Sequence, residues 1–132
     1  MNSLKGTISA IENNDGISLI TVNLGTTIFH VLIIETEDET TYLRVGNTVK
    51  LIFKETETIL AKTDKNTTSI PNTILGQVLT VQEGAILCKI RIDISVAKIT
   101  AVITRLMQNQ LQFKTGDTVT VLIKASEIML SE

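Results

Sequence analysis

The sequence is poor in the residues on which most catalytic and metal sites depend. It has one cysteine, one histidine and no tryptophan in 132 residues. A single cysteine, Cys88, rules out an internal disulfide and leaves no second thiolate for a structural zinc site. His30 lies in the apolar run TTIFHVLII without another histidine or cysteine near it, so a direct metal ligand is not expected. Neither a glycine-rich phosphate loop nor a GxSxG turn is present. These absences favour binding over catalysis, and we expect no enzyme activity.

Charge and hydropathy argue against two classes of partner. The formal net charge is −2 and the pI is near 5.4, so the chain lacks the overall basic field that dominates nucleic-acid binding. Apolar residues make up 43% of the chain but occur in short runs, far below the roughly 18 consecutive residues of a membrane helix. The first ten residues, MNSLKGTISA, lack the basic segment, the apolar core and the cleavage site that a secretory signal has. We therefore expect no nucleic acid, no membrane span and, by default, a cytoplasmic location.

An internal repeat organises the chain. Displacing the sequence by 70 positions aligns residues 2–62 with residues 72–132 without a gap. The match is best where RVGNTVKLIFKETETIL (44–60) overlies KTGDTVTVLIKASEIML (114–130). Self-similarity at a fixed period is the signature of a repeated structural unit. We predict two copies of one module.

A polar segment separates the two copies. TDKNTTSIP (63–71) contains Pro71, the only proline of the chain, and has the composition of a connector. The predicted division is a first module at 1–62, a linker at 63–71 and a second module at 72–132.

Each copy has the pattern of short β-strands. Ile90, Ile92 and Ile94 alternate with charged or polar residues, which is the period of a strand with one buried face. KITAVIT (98–104) supplies a neighbouring strand, whereas RLMQNQLQF (105–113) breaks the alternation and is predicted to be a short helix. About five strands in roughly 60 residues are typical of a small oligonucleotide/oligosaccharide-binding (OB) barrel. The predicted fold is all-β, with two tandem small OB-like β-barrel modules that each carry one short helical segment.

Modules of this size are marginal alone. A module of about 60 residues buries only about 60% of the surface that it exposes when unfolded. We therefore expect the edge strands to be covered by the other copy or by another chain, with clefts between modules.

The end of each copy resembles a known family. Its most specific part is IKASEIML (123–130), and LGQVLTVQEGAILCKI (75–90) is similar to the family's first hairpin in spacing. With the repeat, these residues look like the di-Mop form of the molbindins, also called Mop or TOBE domains. The resemblance covers the whole chain. It implies a cytoplasmic homotrimer that binds molybdate or tungstate between modules of different subunits, for storage or homeostasis, without an organic cofactor.

The same resemblance implies a set of oxyanion-binding residues. An oxyanion needs positive charge, hydroxyl or amide donors and partial shelter from water. Lys124 would supply the charge, Ser126 a hydroxyl and the backbone near Ala125 the amide donors. The remaining matches to the family's ligands are Ser69 in the linker, Asn72 and Thr104 in the second copy, and Lys54 and Thr56 in the first.

The sequence departs from the family's pattern at several positions. Pro71 stands where the family has arginine, Met107 replaces a serine, Ile34 replaces a threonine, and Glu55 lies between Lys54 and Thr56. A further acidic group in the first copy comprises Glu37, Asp38 and Glu39. Repulsion from these carboxylates predicts that the second copy is the better anion-binding half. The departures leave an alternative open: a structural or regulatory oligomerisation module of the same fold with degenerate anion sites.

Overall fold

The computed structural model describes residues 1–34, 42–62 and 68–132. These ranges contain ten β-strands, one α-helix and two short 3₁₀ helices. In the first half the strands are β1 (Asn2–Asn14), β2 (Ile17–Leu24), β3 (Thr27–Ile33), β4 (Thr48–Phe53) and β5 (Ile59–Ala61), with the first 3₁₀ helix at Glu55–Glu57. In the second half they are β6 (Asn72–Glu83), β7 (Leu87–Asp93), β8 (Lys98–Thr104), β9 (Thr118–Ile123) and β10 (Met129–Ser131), with α1 at Arg105–Leu111 and the second 3₁₀ helix at Ala125–Glu127.

The strands form two five-stranded antiparallel sheets. One has the order β10-β4-β1-β2-β3 and the other the order β5-β9-β6-β7-β8. Corresponding strands begin 70 or 71 residues apart, as at Asn2 and Asn72 or at Thr48 and Thr118. The predicted all-β class is confirmed as a mostly-β fold with one α-helix. The predicted β-barrels are not closed by hydrogen bonds. Among the described residues, the first and last strands of each sheet do not pair with each other.

Each sheet contains one strand from the other half of the chain. β10 pairs with β4 through Met129 and Ile52, and β5 pairs with β9 through Ile59 and Leu122. Without these partners β4 and β9 would present unpaired backbone groups at a sheet edge. The exchange of short strands therefore covers one edge in each half, as expected for strands covered by the other copy.

Alternating apolar residues build a core that both sheets share. In β7, Cys88, Ile90 and Ile92 are fully buried while the residues between them are exposed, so Cys88 is a core residue. Phe29, Phe53 and Phe113 belong to one buried cluster, to which both sheets contribute. Burial of such side chains contributes about 1.5–3 kcal/mol each. The two halves are thus joined by a common core as well as by exchanged strands.

α1 confirms the helix predicted for residues 105–113. It begins after Thr104 and ends at Leu111, and the left-handed conformation of the following residue, Gln112 (φ 54°), stops the helix. Most of the corresponding segment of the first copy lies in residues 35–41, outside the described residues. No helix in the described ranges has the length and apolar character needed to cross a membrane.

Candidate functional site

The end of β9 presents Lys124 to solvent. Lys124 is exposed and extended (φ −64°, ψ 140°), and its carbonyl accepts a hydrogen bond from the Glu127 amide at 3.0 Å. This bond closes the second 3₁₀ helix, in which Ala125 is half-buried and Ser126 is exposed. The first amides of a helical turn have no partner inside the turn. Charge, hydroxyl and amide donors are therefore adjacent at this point.

Lys124 has no acidic partner in the described ranges. The ion pairs there join Arg105 to Glu83 at 3.1 Å and the Met1 amino group to Glu55 at 3.8 Å. A lysine ammonium, a hydroxyl and the first amides of a helical turn make up the donor set that an oxyanion requires. The geometry of the turn formed by residues 124–127, the Lys124 turn, is compatible with anion binding.

Asn72 lies at the same end of the second sheet, but its side chain is already hydrogen-bonded to the protein backbone. It is 1% exposed, and its Nδ2 donates to the carbonyls of His30 at 2.9 Å and Ile123 at 3.0 Å. Its Oδ1 accepts from the His30 amide at 2.7 Å. Both amide hydrogens are used, so in this arrangement the Asn72 side chain has no donor left for an anion.

Ser69 precedes β6 at the same end. It is exposed, and it comes three residues before the Asn72 that pairs with Ile123. The register thus brings Ser69 and the Lys124 turn to one end of the β6–β9 ladder. Pro71, which lies between Ser69 and Asn72, is also exposed.

Thr104 lies at the opposite end of the second sheet. β8 ends at Thr104, beside the end of β6 at Glu83, whereas Lys124 follows the pairing of Ile123 with Asn72 at the beginning of β6. The path along β6 between these ends is roughly 35 Å. Within one chain the structure does not bring Thr104 and Lys124 together.

The first half has a corresponding turn with an added carboxylate. Lys54 and Thr56 are exposed and flank the half-buried Glu55, which pairs with the Met1 amino group. The Lys54 carbonyl accepts from the Glu57 amide at 3.1 Å and from the Thr58 hydroxyl at 3.0 Å. The two lysine turns have similar backbone conformations. They differ in charge, because the first has Glu55 where the second has Ala125.

Each 3₁₀ helix lies against the opposite half of the molecule. The second contacts β3, and the first contacts β8. Both lysine turns therefore lie at a boundary between the halves.

Two of the positions that depart from the family's pattern, Met107 and Ile34, are exposed. Met107 is 39% exposed in the first turn of α1, where its amide donates to the Thr104 hydroxyl at 3.2 Å. Ile34 is 63% exposed immediately after β3. The acidic group at Glu37, Asp38 and Glu39 lies outside the described residues. No group of histidine, cysteine and acidic residues suited to a metal ion occurs in the part of the chain that the structure describes.

One residue that the site hypothesis had not included is Asn2. Its Nδ2 donates to the Thr100 carbonyl and its Oδ1 accepts from the Thr100 amide, both at 2.8 Å. The available signal was its alignment with Asn72, since a polar residue that opens a strand in both copies indicates a shared structural use.

These features define a class of protein: a mostly-β molecule made of two five-stranded units that exchange terminal strands and carry a lysine turn at each boundary. Residues 68–130 match the family model of the TOBE domain. The resemblance read from the sequence is confirmed over these residues, which include the Lys124 turn.

A solved structure shows the same fold. The protein is similar to the cytoplasmic molybdate-binding protein ModG, in a crystal form with molybdate bound, with a TM-score of 0.90 and 23% identity over 98% of this chain and 94% of that chain. It is also similar to MopII from Clostridium pasteurianum, with a TM-score of 0.48 and 24% identity over 50% of this chain and 100% of that chain. Comparison with curated protein sequences gives no match.

Proposed function

We propose that the protein binds molybdate or tungstate and serves in storage or homeostasis of the oxyanion in the cytoplasm. The observation that carries the proposal is the Lys124-Ala125-Ser126 turn, where an exposed lysine without an acidic partner in the described ranges adjoins a hydroxyl and helix-start amides. Support comes from the match of nearly the whole chain to the fold of a molybdate-binding protein. In this proposal the protein is a binding protein and not an enzyme, and the oxyanion is bound without an organic cofactor.

The proposed site uses residues from both ends of the second sheet. The ligands are Lys124, Ser126, the backbone of Ala125, and Ser69 at one end, and Thr104 at the other. Because one chain keeps these ends apart, a site that includes Thr104 with Lys124 needs two chains. This separation supports a homo-oligomer, for which we propose a trimer with sites between modules of different subunits.

The first half would contribute a weaker site. Lys54 and Thr56 offer the same groups as Lys124 and Ser126, but Glu55 places a carboxylate between them. We also propose that residues 1–62 and 72–132 are two OB-like modules joined by residues 63–71, of which 63–67 lie outside the described residues.

Calorimetric titration with a lysine variant tests the function. Lys124→Ala is expected to weaken molybdate or tungstate binding by about tenfold to a hundredfold, since it removes a charge-assisted hydrogen bond. Lys5→Ala is the control, because Lys5 is exposed on β1 and pairs with Lys50 and with no proposed ligand, so its loss should leave the affinity unchanged. Sulfate and phosphate titrations measure selectivity.

Two results would contradict the proposal. Absence of heat from the wild-type protein at millimolar molybdate and tungstate would exclude the function. Equal losses in Lys124→Ala and Lys5→Ala would mean that only general charge is involved. Light scattering on the same sample tests the assembly, because a monodisperse monomer is incompatible with sites between subunits.

The second candidate is a structural or regulatory oligomerisation module with degenerate anion sites. The observation that favours it is Asn72, which matches a family ligand yet has both amide hydrogens bonded to the protein. This candidate predicts a stable oligomer without oxyanion heat, so the same two measurements separate the alternatives.

A further inference from the structure

Two asparagines join the halves of the molecule in the same way. Asn72 at the start of β6 bonds the amide and carbonyl of His30 in β3, at 2.7 and 2.9 Å. Asn2 at the start of β1 bonds the amide and carbonyl of Thr100 in β8, both at 2.8 Å. The two contacts are related by the repeat, because both the asparagines and their partners are 70 positions apart. Each asparagine satisfies backbone groups on the outer edge of a strand that belongs to the other half.

The two contacts differ at one hydrogen bond. The second hydrogen of Asn72 Nδ2 donates to the Ile123 carbonyl at 3.0 Å. In the described ranges the Asn2 side chain makes only its two bonds to Thr100, with none to Phe53, the residue that corresponds to Ile123. Asn72 therefore joins three segments and Asn2 joins two.

The extra bond acts on the residue that precedes the lysine turn. A peptide unit is planar, so fixing the Ile123 carbonyl also fixes the orientation of the Lys124 amide and the direction in which the chain leaves β9. The same nitrogen bonds the His30 carbonyl, and the second 3₁₀ helix contacts β3. The position of the lysine turn relative to the opposite half is thus set through one buried amide group.

We propose that Asn72 is a positioning residue, which holds the Lys124 turn against β3 of the other half without touching the anion, while Asn2 only joins the halves. The proposal rests on the proposed oxyanion function, because it assigns Asn72 a role in that site. It differs from the role of direct ligand that the family resemblance implies. The reason is that an asparagine whose amide hydrogens both bond carbonyls cannot also donate to an oxyanion.

Amide exchange in the ligand-free protein tests the contact itself. In Asn72→Ala, the His30 amide loses its acceptor and should exchange about tenfold faster or more, whereas the Thr100 amide should be unchanged. Asn2→Ala is the matched variant and should show the reverse pattern. Asn72→Ser, which keeps one hydroxyl, provides the same readout at His30 if the alanine variant does not fold. An unchanged His30 exchange rate in a folded Asn72 variant overturns the contact.

Oxyanion titration tests the positioning role through a double-mutant cycle. Asn72→Ala alone should weaken molybdate binding by about three- to tenfold, and Asn2→Ala should leave binding by the second half unchanged. In a Lys124→Ala background, the Asn72 substitution should have little further effect, because its influence passes through the lysine turn. Asn72→Ser replaces the alanine variant in the cycle if required.

The outcomes separate the positioning role of Asn72 from the proposed oxyanion function. Fully additive losses from the Asn72 and Lys124 substitutions would overturn positioning and indicate a direct contact with the anion. Equal losses in Asn2→Ala and Asn72→Ala would also overturn it, since the Ile123 bond is unique to Asn72. Absence of oxyanion heat from the wild-type protein would count against the proposed function and not against the contact, which the exchange experiment tests separately.

Discussion

At the scale of single residues, close contact between strands restricts two positions to glycine. A Cβ atom at Gly6 would lie 2.6 Å from side-chain atoms of both Val22 and Leu24 and 2.9 Å from the Asn23 carbonyl. A Cβ atom at Gly76, its counterpart in the repeat, would lie 2.6 Å from Ile92. At such distances a methyl group fits only if neighbouring side chains or the backbone move. The absence of a side chain at Gly6 and Gly76 therefore permits the close packing of β1 on β2 and of β6 on β7.

Substitution of Gly6 should measure the cost of crowding. Gly6→Ala is expected to lower the free energy of unfolding by about 1–3 kcal/mol, as overpacking a filled core does. Urea denaturation measures the change. Ser3→Ala is the control, because Ser3 is exposed on the same strand and should change stability little. Similar losses in both variants would contradict the steric explanation.

At the scale of secondary-structure elements, Thr104 both ends β8 and begins α1. Its hydroxyl accepts a hydrogen bond from the Met107 amide, which caps the helix N-terminus. At the other end of the helix, Gln108 is 3% exposed, donates to the Phe113 carbonyl at 3.0 Å and accepts from the Phe113 amide at 3.3 Å. Both ends of this short helix are held by side chains, which compensates for a length at which a free helix would be unstable.

The cap predicts a graded response at Thr104. Thr104→Ala should destabilise the protein by about 1 kcal/mol, whereas Thr104→Ser should retain most of the stability. Thermal unfolding without oxyanion measures this effect separately from any part that Thr104 has in anion binding. A Thr104→Ala variant as stable as the wild type would show that the capping bond contributes nothing.

At the scale of the whole molecule, the halves are linked by three kinds of contact. The exchanged strands β5 and β10 add backbone hydrogen bonds, the asparagines add side-chain bonds, and a common apolar cluster fills the interior. Tyr42, in the first half, also donates to the carbonyl of Leu130 in β10 at 3.3 Å. Loss of either half would expose apolar surface and a strand edge in the other, so the two should unfold together.

Equilibrium unfolding should therefore show one cooperative transition. Tyr42 is the only tyrosine and tryptophan is absent, so tyrosine fluorescence reports on one site while far-UV circular dichroism reports on all strands. The two signals are expected to give the same urea midpoint. An earlier fluorescence transition, or a circular dichroism curve with two steps, would mean that the halves unfold independently. Measurement at several protein concentrations separates this behaviour from dissociation of an oligomer.

The sequence by itself determined the repeat, the class of fold and several local elements. Alternating isoleucines set the buried face of β7, and the loss of alternation after Thr104 placed α1, because strand and helix periods are properties of neighbouring residues. The recurrence of a lysine followed two positions later by a hydroxyl residue indicated the turns at Lys54 and Lys124. The set of oxyanion ligands stays a prediction.

Only the tertiary structure decided which sheets β5 and β10 join and which backbone groups the Asn72 side chain bonds. A strand of three residues such as β5 has the same local pattern whichever sheet edge it covers, and its pairing depends on the edge that β9 leaves open. Asn72 meets His30 across 42 positions of sequence, and Thr104 is kept from Lys124 by strand register. Such contacts arise from the packing of distant segments, and no periodicity within either segment specifies them.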